Sequence, residues 1–311
     1  MDTNRPASLF MDGALAGRNE WWRYGLALTL FIGGYLGGAF VLITAAGVGH
    51  GVLSRLFPDQ FSQQFFFDLF DMSKGWPDVP VFSGVLLFAS AMGSLIVAIP
   101  VLALIVIFIH RRSFGSLLGV DGFDRVAFFT SLAGGVIGLG LFTGIELAFF
   151  WDDISFNRRW VDILFYLPVA IFLVPLQVLA EELFFRGYLL QAVSVATKRL
   201  WIRVMLPALA FAVLHYSNAE VRNAVLPSLA YYLIFSVYVT WLTTRTGGIA
   251  AAAGFHLATN IFAVFIISSS LSAFISPALF YVGEPTLWAV PVEITVVVII
   301  HNFLMKRWRV L

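Results

Sequence analysis

Residues 161–181 read VDILFYLPVAIFLVPLQVLAE, an almost uninterrupted apolar run that ends at a carboxylate. A run of roughly 20 apolar residues is the length that an α-helix needs to cross about 30 Å of hydrocarbon. Similar runs recur along most of the 311-residue chain, which is 60% hydrophobic and only 12% charged. This composition is far from that of a soluble globular domain. The lipid bilayer is therefore the expected solvent.

The apolar runs predict an all-α fold, a polytopic transmembrane helical bundle of about eight spans. We place the spans at about 25–46, 80–109, 127–150, 161–181, 203–217, 224–243, 248–270 and 286–305. The fifth span is short and needs tilt or shelter among its neighbours. The chain then divides into a cytoplasmic N-terminal segment 1–24, a membrane-embedded domain 25–305 and a cytoplasmic tail 306–311.

The distribution of Lys and Arg predicts the orientation, because cytoplasmic loops carry an excess of them. Most of these residues fall in the two terminal segments and in the loops after the second, fourth and sixth spans. Both termini are therefore predicted to be cytoplasmic, and the cell (inner) membrane is the expected location. The loop at about 47–79 contains FSQQFFFDLF, residues 61–70, and is expected to lie at the membrane interface.

Two classes of function are disfavoured by composition. The chain has no cysteine, so a disulfide framework, a thiolate metal site and a thiol nucleophile are ruled out. The net charge of +1 comes without a basic stripe or a nucleic-acid motif, so no nucleic-acid partner is expected.

Ionisable groups within membrane spans are costly, so each one raises a functional hypothesis. They concentrate in three places: the fourth span ends in AEELFFR (180–186), the fifth ends in FAVLH (211–215), and the seventh contains FHLATN (255–260). A single buried histidine is usually structural. A carboxylate, two imidazoles and a carboxamide together favour a functional site.

Helical spacing indicates how these side chains are arranged. Glu182 and Arg186 are four residues apart and can form an ion pair, whereas Glu181 points about 100° away and stays free. His256 and Asn260, also four apart, project from one face.

The predicted depth in the membrane is consistent with the two histidines meeting at one site. His215 and His256 both lie about 16–18 Å along their helices from the nearest predicted cytoplasmic charge. His50, His110 and His301 are interpreted as interfacial, and Glu293 as a structural residue at the wrong depth.

The three segments resemble the signature of the CAAX prenyl endopeptidase and bacteriocin-processing family, also called CPBP or ABI proteases. The family pattern is EExxxR, then FxxxH, then HxxxN or HxxxD. The matching positions are Glu181, Glu182 and Arg186, then Phe211 and His215, then His256 and Asn260. The resemblance covers about residues 160–270.

The resemblance implies an intramembrane endopeptidase that hydrolyses peptide bonds near the cytoplasmic face. Glu181 would be the general base that activates a water with help from His215. His256 and Asn260 would donate hydrogen bonds to the developing oxyanion. The supporting residues would be Glu182, Arg186 and Phe211. The partners implied are the bilayer and a protein or peptide substrate, either a prenylated CAAX tail or another membrane-bound protein.

The residues do not decide whether the site uses a metal cofactor. Glu181, His215 and His256 would suit zinc as two imidazoles and a carboxylate with a fourth position for water. The compact HExxH motif of zinc proteases is absent. A metal-free mechanism fits the same residues and is preferred here, with zinc as the alternative.

Two other classes of function compete with the protease. One is a non-catalytic immunity or scaffold protein of the same fold. The other is a transporter, since polar groups at mid-membrane also mark transport sites. No inverted repeat in the sequence supports a transporter.

Overall fold

The computed structural model of the protein describes residues 5–61, 80–218, 220–221, 224–269, 272, 276–282 and 289–311. The helices in chain order are α1 Arg5–Met11, α2 Trp21–Leu56, α3 Val81–Ile109, α4 Arg125–Phe149, α5 Trp160–Ala196, α6 Leu200–Ser217, α7 Val225–Thr246, α8 Ala250–Ile266 and α9 Ala289–Arg307. Seven of these described helices, all except α1 and α8, are long and apolar enough to cross a membrane. The prediction of an all-α polytopic bundle is confirmed, and the protein is an integral membrane protein.

The predicted seventh span, 248–270, is the shorter helix α8. Its chain leaves the helical conformation at Ile267 and continues as the strand β2. Residues 250–260 are all buried, and α4, α5 and α7 pack around them. Because α8 is enclosed by other helices, it contributes its polar side chains to the interior of the protein rather than to lipid.

Small residues allow α8 to approach α4 closely. A Cβ atom added at Gly254 would lie 2.2 Å from the carbonyl oxygen of Phe128, and one at Gly135 would lie 2.6 Å from the Cβ of Ala258. Backbones that come this near can pack only where the side chains are small, which is a common feature of helix contacts in membranes. At the start of α8, Gly247 adopts φ of 73° and ends α7 in a tight turn.

The helix α5 is longer than the span predicted at 161–181. It continues to Ala196 through a π-helical stretch, Leu183–Leu189. Gly187 lies against the carbonyl of Leu117, where an added Cβ would be 2.9 Å from the oxygen. The two glutamates therefore lie in the middle of a long helix and not at its end.

The segments that the charge pattern assigns to the cytoplasm lie together at one end of the bundle. Lys198 pairs with Asp12 at 2.8 Å, and the backbone N–H of Arg18 donates to the carbonyl of His110 at 2.7 Å. These contacts join the N-terminal segment to the loops after α3 and α5. The arrangement agrees with the alternation of Lys and Arg, while the orientation in the membrane stays a prediction.

A small sheet lies among the connections at the other ends of α4 and α8. Its strands are β1 Ile154–Phe156, β2 Ile267–Ser269 and β3 Phe280–Val282, in the order β1–β3–β2. β1 is antiparallel to β3, with Ile154 opposite Val282, and β2 is parallel to β3, with Ile267 opposite Phe280. The sheet ties the chain after α4 to the chain after α8.

The loop predicted at 47–79 begins later than expected, because α2 continues as helix to Leu56. This helix is largely exposed along its length and packs on α3, where Gly34 and Gly38 meet Val101 and Val97. The predicted interfacial segment 61–70 falls almost wholly outside the described residues.

Candidate active site

The paired glutamates of α5 have different environments. The side chain of Glu182 is fully buried, whereas that of Glu181 keeps 13% of its surface exposed and lines a cavity. Neighbouring residues on a helix point about 100° apart, so one carboxylate faces the protein interior and the other faces the cavity. This is the arrangement that the sequence predicts for the pair.

Arg186 neutralises the buried carboxylate. Its Nη1 donates to Oε1 of Glu182 at 2.9 Å, and its Nη2 donates to the hydroxyl of Ser236 at 2.7 Å. The guanidinium also lies 4.6 Å from the centre of the Phe211 ring, within the range of a cation–π contact. Thr240 accepts a longer hydrogen bond from Nε at 3.4 Å. The predicted i,i+4 ion pair is present, and two hydroxyl groups of α7 accept further hydrogen bonds from the guanidinium.

His256 lies between the two glutamates. Its Nδ1 is 2.7 Å from Oε1 of Glu182, and its Nε2 is 3.6 Å from Oε2 of Glu181. Since a carboxylate only accepts hydrogen bonds, Nδ1–H donates to Glu182. In the neutral imidazole Nε2 then carries a lone pair towards Glu181. A proton bound to Glu181 Oε2 could therefore be transferred to Nε2 across 3.6 Å.

His215 is held by the helix that carries it. Its Nδ1–H donates to the carbonyl of Phe211 at 2.7 Å. The rings of Phe211 and Tyr232 each lie 4.2 Å from the imidazole ring, centre to centre. Nδ1 is therefore occupied, and the neutral ring presents Nε2 as its basic atom.

Asn260 is the fourth member of the predicted set, and its amide donates to Oε1 of Gln177 at 2.8 Å. Both side chains are buried. Gln177 was not among the predicted site residues. It is a polar residue within an apolar span, four positions before Glu181 on α5, and this spacing was the signal for it. Gln177 fixes the orientation of the Asn260 amide beside the cavity.

The four predicted residues line one cavity of about 1330 Å³. Much of its apolar wall comes from α2 and α3. Its carboxylates are Glu146, Asp153, Glu181, Glu220 and Glu293, and among the described residues no Lys or Arg lines it. Glu293, interpreted from the sequence as a structural residue at another depth, also lines this cavity, and its role stays a prediction. The site is therefore electronegative as well as deep.

The three histidines interpreted as interfacial are all buried by protein packing, and their depth in the membrane stays a prediction. His301 is fully buried, with Nδ1 at 2.6 Å from the Tyr238 hydroxyl and Nε2 at 3.0 Å from the carbonyl of Ser131. His110 and His50 are each 2% exposed. The helix packing covers these side chains, which hydropathy along the chain could not indicate.

Zinc binding would require Glu181, His215 and His256 to converge on one point. Across the described residues, no group of three or more His, Asp and Glu side chains is arranged to share a metal ion. Glu181 Oε2 and His256 Nε2 face each other at 3.6 Å, and no third His, Asp or Glu of the described residues joins them at the spacing of metal ligands. The residues in this arrangement do not make a zinc site, and we derive no step through a metal.

Comparison with known proteins agrees with the motif-based resemblance. Residues 162–262 match the sequence model of a family described as type II CAAX prenyl endopeptidase Rce1-like. The chain is also similar to an uncharacterized protein, YyaK, of Bacillus subtilis (strain 168), with 29% identity over 285 residues that cover 89% of this chain and 85% of YyaK. No solved structure matches the chain. The matched region contains every residue of the three motifs, and the resemblance to the CAAX endopeptidase family is confirmed.

Proposed function

We propose that the protein is an intramembrane endopeptidase and that Glu181 is its general base. One observation carries the proposal: the Glu181 carboxylate lies on the cavity wall, without a Lys or Arg partner among the described residues, beside an imidazole whose other nitrogen is bound to a buried ion pair. A cavity carboxylate of this kind can take a proton from water. Of the cavity carboxylates, Glu181 is the one that faces His256 across 3.6 Å.

The residues support a complete hydrolytic cycle. Glu181 accepts a proton from water while the water oxygen attacks the carbonyl carbon of the scissile peptide bond. The tetrahedral intermediate carries a negative oxygen, which needs hydrogen-bond donors at about 3 Å. Collapse of the intermediate breaks the C–N bond and returns the proton to the leaving amine. The products are a carboxylic acid and an amine.

His256 and Asn260 are the proposed oxyanion donors. The Asn260 amide is held by Gln177 and has a second N–H available. His256 donates from Nε2 only when that atom is protonated, because Nδ1–H is directed to Glu182. Glu181 Oε2, 3.6 Å from Nε2, passes this atom the proton taken from water, and the same proton goes back through Glu181 to the leaving amine when the intermediate collapses. His215 assists by accepting a hydrogen bond at Nε2 from the same water.

The substrate class follows from the cavity and the family resemblance. We propose a peptide segment anchored in or at the membrane, with a prenylated CAAX tail as the first candidate. The apolar wall of α2 and α3 suits an alkyl chain beside a peptide. We further propose that the protein acts in the cell (inner) membrane.

The test is cleavage of a quenched farnesylated CAAX peptide by the purified protein in detergent. Glu181→Gln keeps the size of the side chain but removes the base, and should lower kcat by about 10²–10⁴-fold. His215→Ala should also impair cleavage. The matched control is Glu293→Gln, which removes a second carboxylate of the same cavity and should leave cleavage nearly unchanged. Each protein is assayed with and without a zinc chelator, and insensitivity is expected.

Three results would contradict the proposal. Equal cleavage by Glu181→Gln and wild type would remove Glu181 from the mechanism. Loss of cleavage on chelation, restored by zinc, would replace the metal-free mechanism. Failure of wild type on this peptide and on a broad peptide library would favour a non-catalytic protein of the same fold.

A further inference from the structure

A hydrogen-bonded cluster lies directly behind His215. It consists of Asn218, Glu220 and Tyr232, which the motifs do not include. The Tyr232 hydroxyl donates to Oε1 of Glu220, and the Asn218 amide bonds to the same Oε1 at 3.1 Å and to the Tyr232 oxygen at 2.9 Å. The three side chains therefore close a triangle of hydrogen bonds.

The cluster is attached to the imidazole on one side and to α7 on the other. The Tyr232 ring contacts the His215 ring with centres 4.2 Å apart and planes 31° apart. The backbone carbonyl of Glu220 accepts from the Ser228 hydroxyl at 3.1 Å, within the first turn of α7. Asn218 N–H donates to the carbonyl of His215 at 3.0 Å. Movement of Glu220 would thus be transmitted to the ring of His215.

The imidazole has two aromatic walls. Phe211 contacts it at 4.2 Å and Tyr232 at 4.2 Å, and the centres of those two rings are 6.2 Å apart, so they meet it from different directions. Phe211 is buried and packed against Arg186. Tyr232 is the wall whose position depends on a hydrogen bond, and Glu220 is the acceptor of that bond.

The two oxygens of the Glu220 carboxylate have different surroundings. Its Oε2 is buried without a hydrogen-bond partner among the described residues, while Oε1 accepts from two donors. Burying an unsatisfied acceptor is costly. The described contacts of the Glu220 carboxyl group are thus concentrated on Oε1, the oxygen that accepts from the Tyr232 hydroxyl.

We infer that Glu220, acting through Tyr232, is a positioning residue for His215. The pair holds the imidazole against Phe211, keeps the proton on Nδ1 for the Phe211 carbonyl, and presents Nε2 to the cavity. Each imidazole of the site then has its own carboxylate: Glu182 bonds His256 directly, and Glu220 acts on His215 through a tyrosine. The inference rests on the proposed function only in giving this arrangement a catalytic use.

The primary test does not depend on activity. The chain has five histidines, so protein labelled with ¹⁵N-histidine in detergent gives few imidazole signals, and the His215→Ala variant identifies those of His215. Tyr232→Phe keeps the ring and removes the hydroxyl, and Glu220→Ala removes the acceptor. Both should change the ring ¹⁵N shifts of His215 towards a mixture of tautomers and leave those of His256 in place.

Two variants serve as controls for this measurement. Glu220→Gln keeps an acceptor oxygen for Tyr232 and should leave the His215 signals close to wild type. Glu293→Gln neutralises a carboxylate of the same cavity without contact to His215 and should leave them unchanged. Wild-type His215 signals in Tyr232→Phe would overturn the inference, and this variant remains decisive if Glu220→Ala does not fold.

Activity supplies an independent second test. Small displacements of a catalytic group cost about ten- to hundredfold in rate, so Tyr232→Phe and Glu220→Ala should lower kcat by about tenfold, with a smaller change in KM. Under single-turnover conditions, neither should cause a further loss in a His215→Ala background. Equal losses with and without His215 would contradict the inference. If wild type cleaves no peptide, the proposed function fails while the ¹⁵N result still decides the inference.

Discussion

Two buried histidines of this protein have opposite surroundings. His301 lies in a seam between α4, α7 and α9, where the Tyr238 hydroxyl donates to Nδ1 and the Ser131 carbonyl accepts from Nε2. His256 lies on the wall of the cavity, where one nitrogen bonds Glu182 and the other faces Glu181. The seam histidine has both nitrogens satisfied by neutral groups. The cavity histidine has one nitrogen left for chemistry.

His110 repeats the pattern of the seam. Its Nδ1–H donates to the carbonyl of Arg18 and its Nε2 accepts from the hydroxyl of Tyr188, both at 2.9 Å. A carbonyl and a tyrosine hydroxyl thus fix a neutral imidazole at two separate places in the fold. Burial alone does not separate a structural histidine from a functional one. The partner of the second nitrogen does.

The largest effect on stability is expected at the ion pair that supports the cavity. Arg186→Met leaves the Glu182 charge buried without its cation, which should destabilise the protein by about 3–5 kcal/mol. Thermal unfolding in detergent measures the loss. The double variant Glu182→Gln, Arg186→Met removes both charges and should recover part of it. A single variant that melts like wild type would mean that His256 alone balances Glu182.

A substitution in the seam should affect stability without affecting chemistry. His301→Phe removes the acceptor of the buried Tyr238 hydroxyl and the donor to the Ser131 carbonyl, at a cost of about 1–3 kcal/mol. The kcat of the folded fraction should stay within about twofold of wild type, because surface and core changes away from a site mainly act on stability. The comparison is His256→Phe, which should abolish cleavage. Equal loss of activity in both variants would contradict the distinction between the two regions.

A substitution at Gln177 shows whether cleavage depends on the buried hydrogen bond that orients Asn260. Gln177→Leu is similar in size and removes the acceptor for the Asn260 amide. Its kcat/KM should fall about tenfold, which corresponds to about 1.4 kcal/mol of transition-state stabilisation. Steady-state cleavage measures this change. Asn260→Ala should cause little further loss in the Gln177→Leu background, and additive losses would show that Gln177 acts elsewhere.

The smallest expected effect is the pH dependence of the stability that His110 contributes. Burial lowers the pKa of His110, with Arg112 and Arg23 acting in the same direction and the hydrogen bond to the Arg18 carbonyl opposing them. The unfolded state, with a pKa of about 6.5, therefore binds more protons in mild acid. The contribution of His110 to stability is full above about pH 6.5 and is lost as the pH falls through the folded value.

A matched variant isolates this contribution. Wild type should lose about 1–3 °C more in melting temperature than His110→Gln on going to mild acid, because the other titrating groups are common to both proteins. Identical pH dependence of the two melting curves would contradict the assignment of His110 as a neutral, buried imidazole.

Several features of the site were predictable from spacing alone. The ion pair between Glu182 and Arg186 follows from a separation of four residues on one helix, and so does the different direction of Glu181. Counting residues from the nearest charges predicts a common depth for His215 and His256, and the two side chains line one cavity. Other features were not predictable. Tyr232 and Glu220 have no motif, and the extent of the cavity, which reaches Glu293, is a property of the packed bundle.

The sequence by itself determined that this chain enters a membrane, where its long helices lie and which side chains share a helical face. Hydropathy and the helical period are local properties, so the printed sequence contains them. The tertiary structure decided which nitrogen of His256 meets which glutamate and which residue holds Asn260. Those contacts join positions 74 and 83 residues apart, and the close approach of α8 to its neighbours at Gly254 sets their distances. Such distances come from the packing of several helices, which no local pattern specifies.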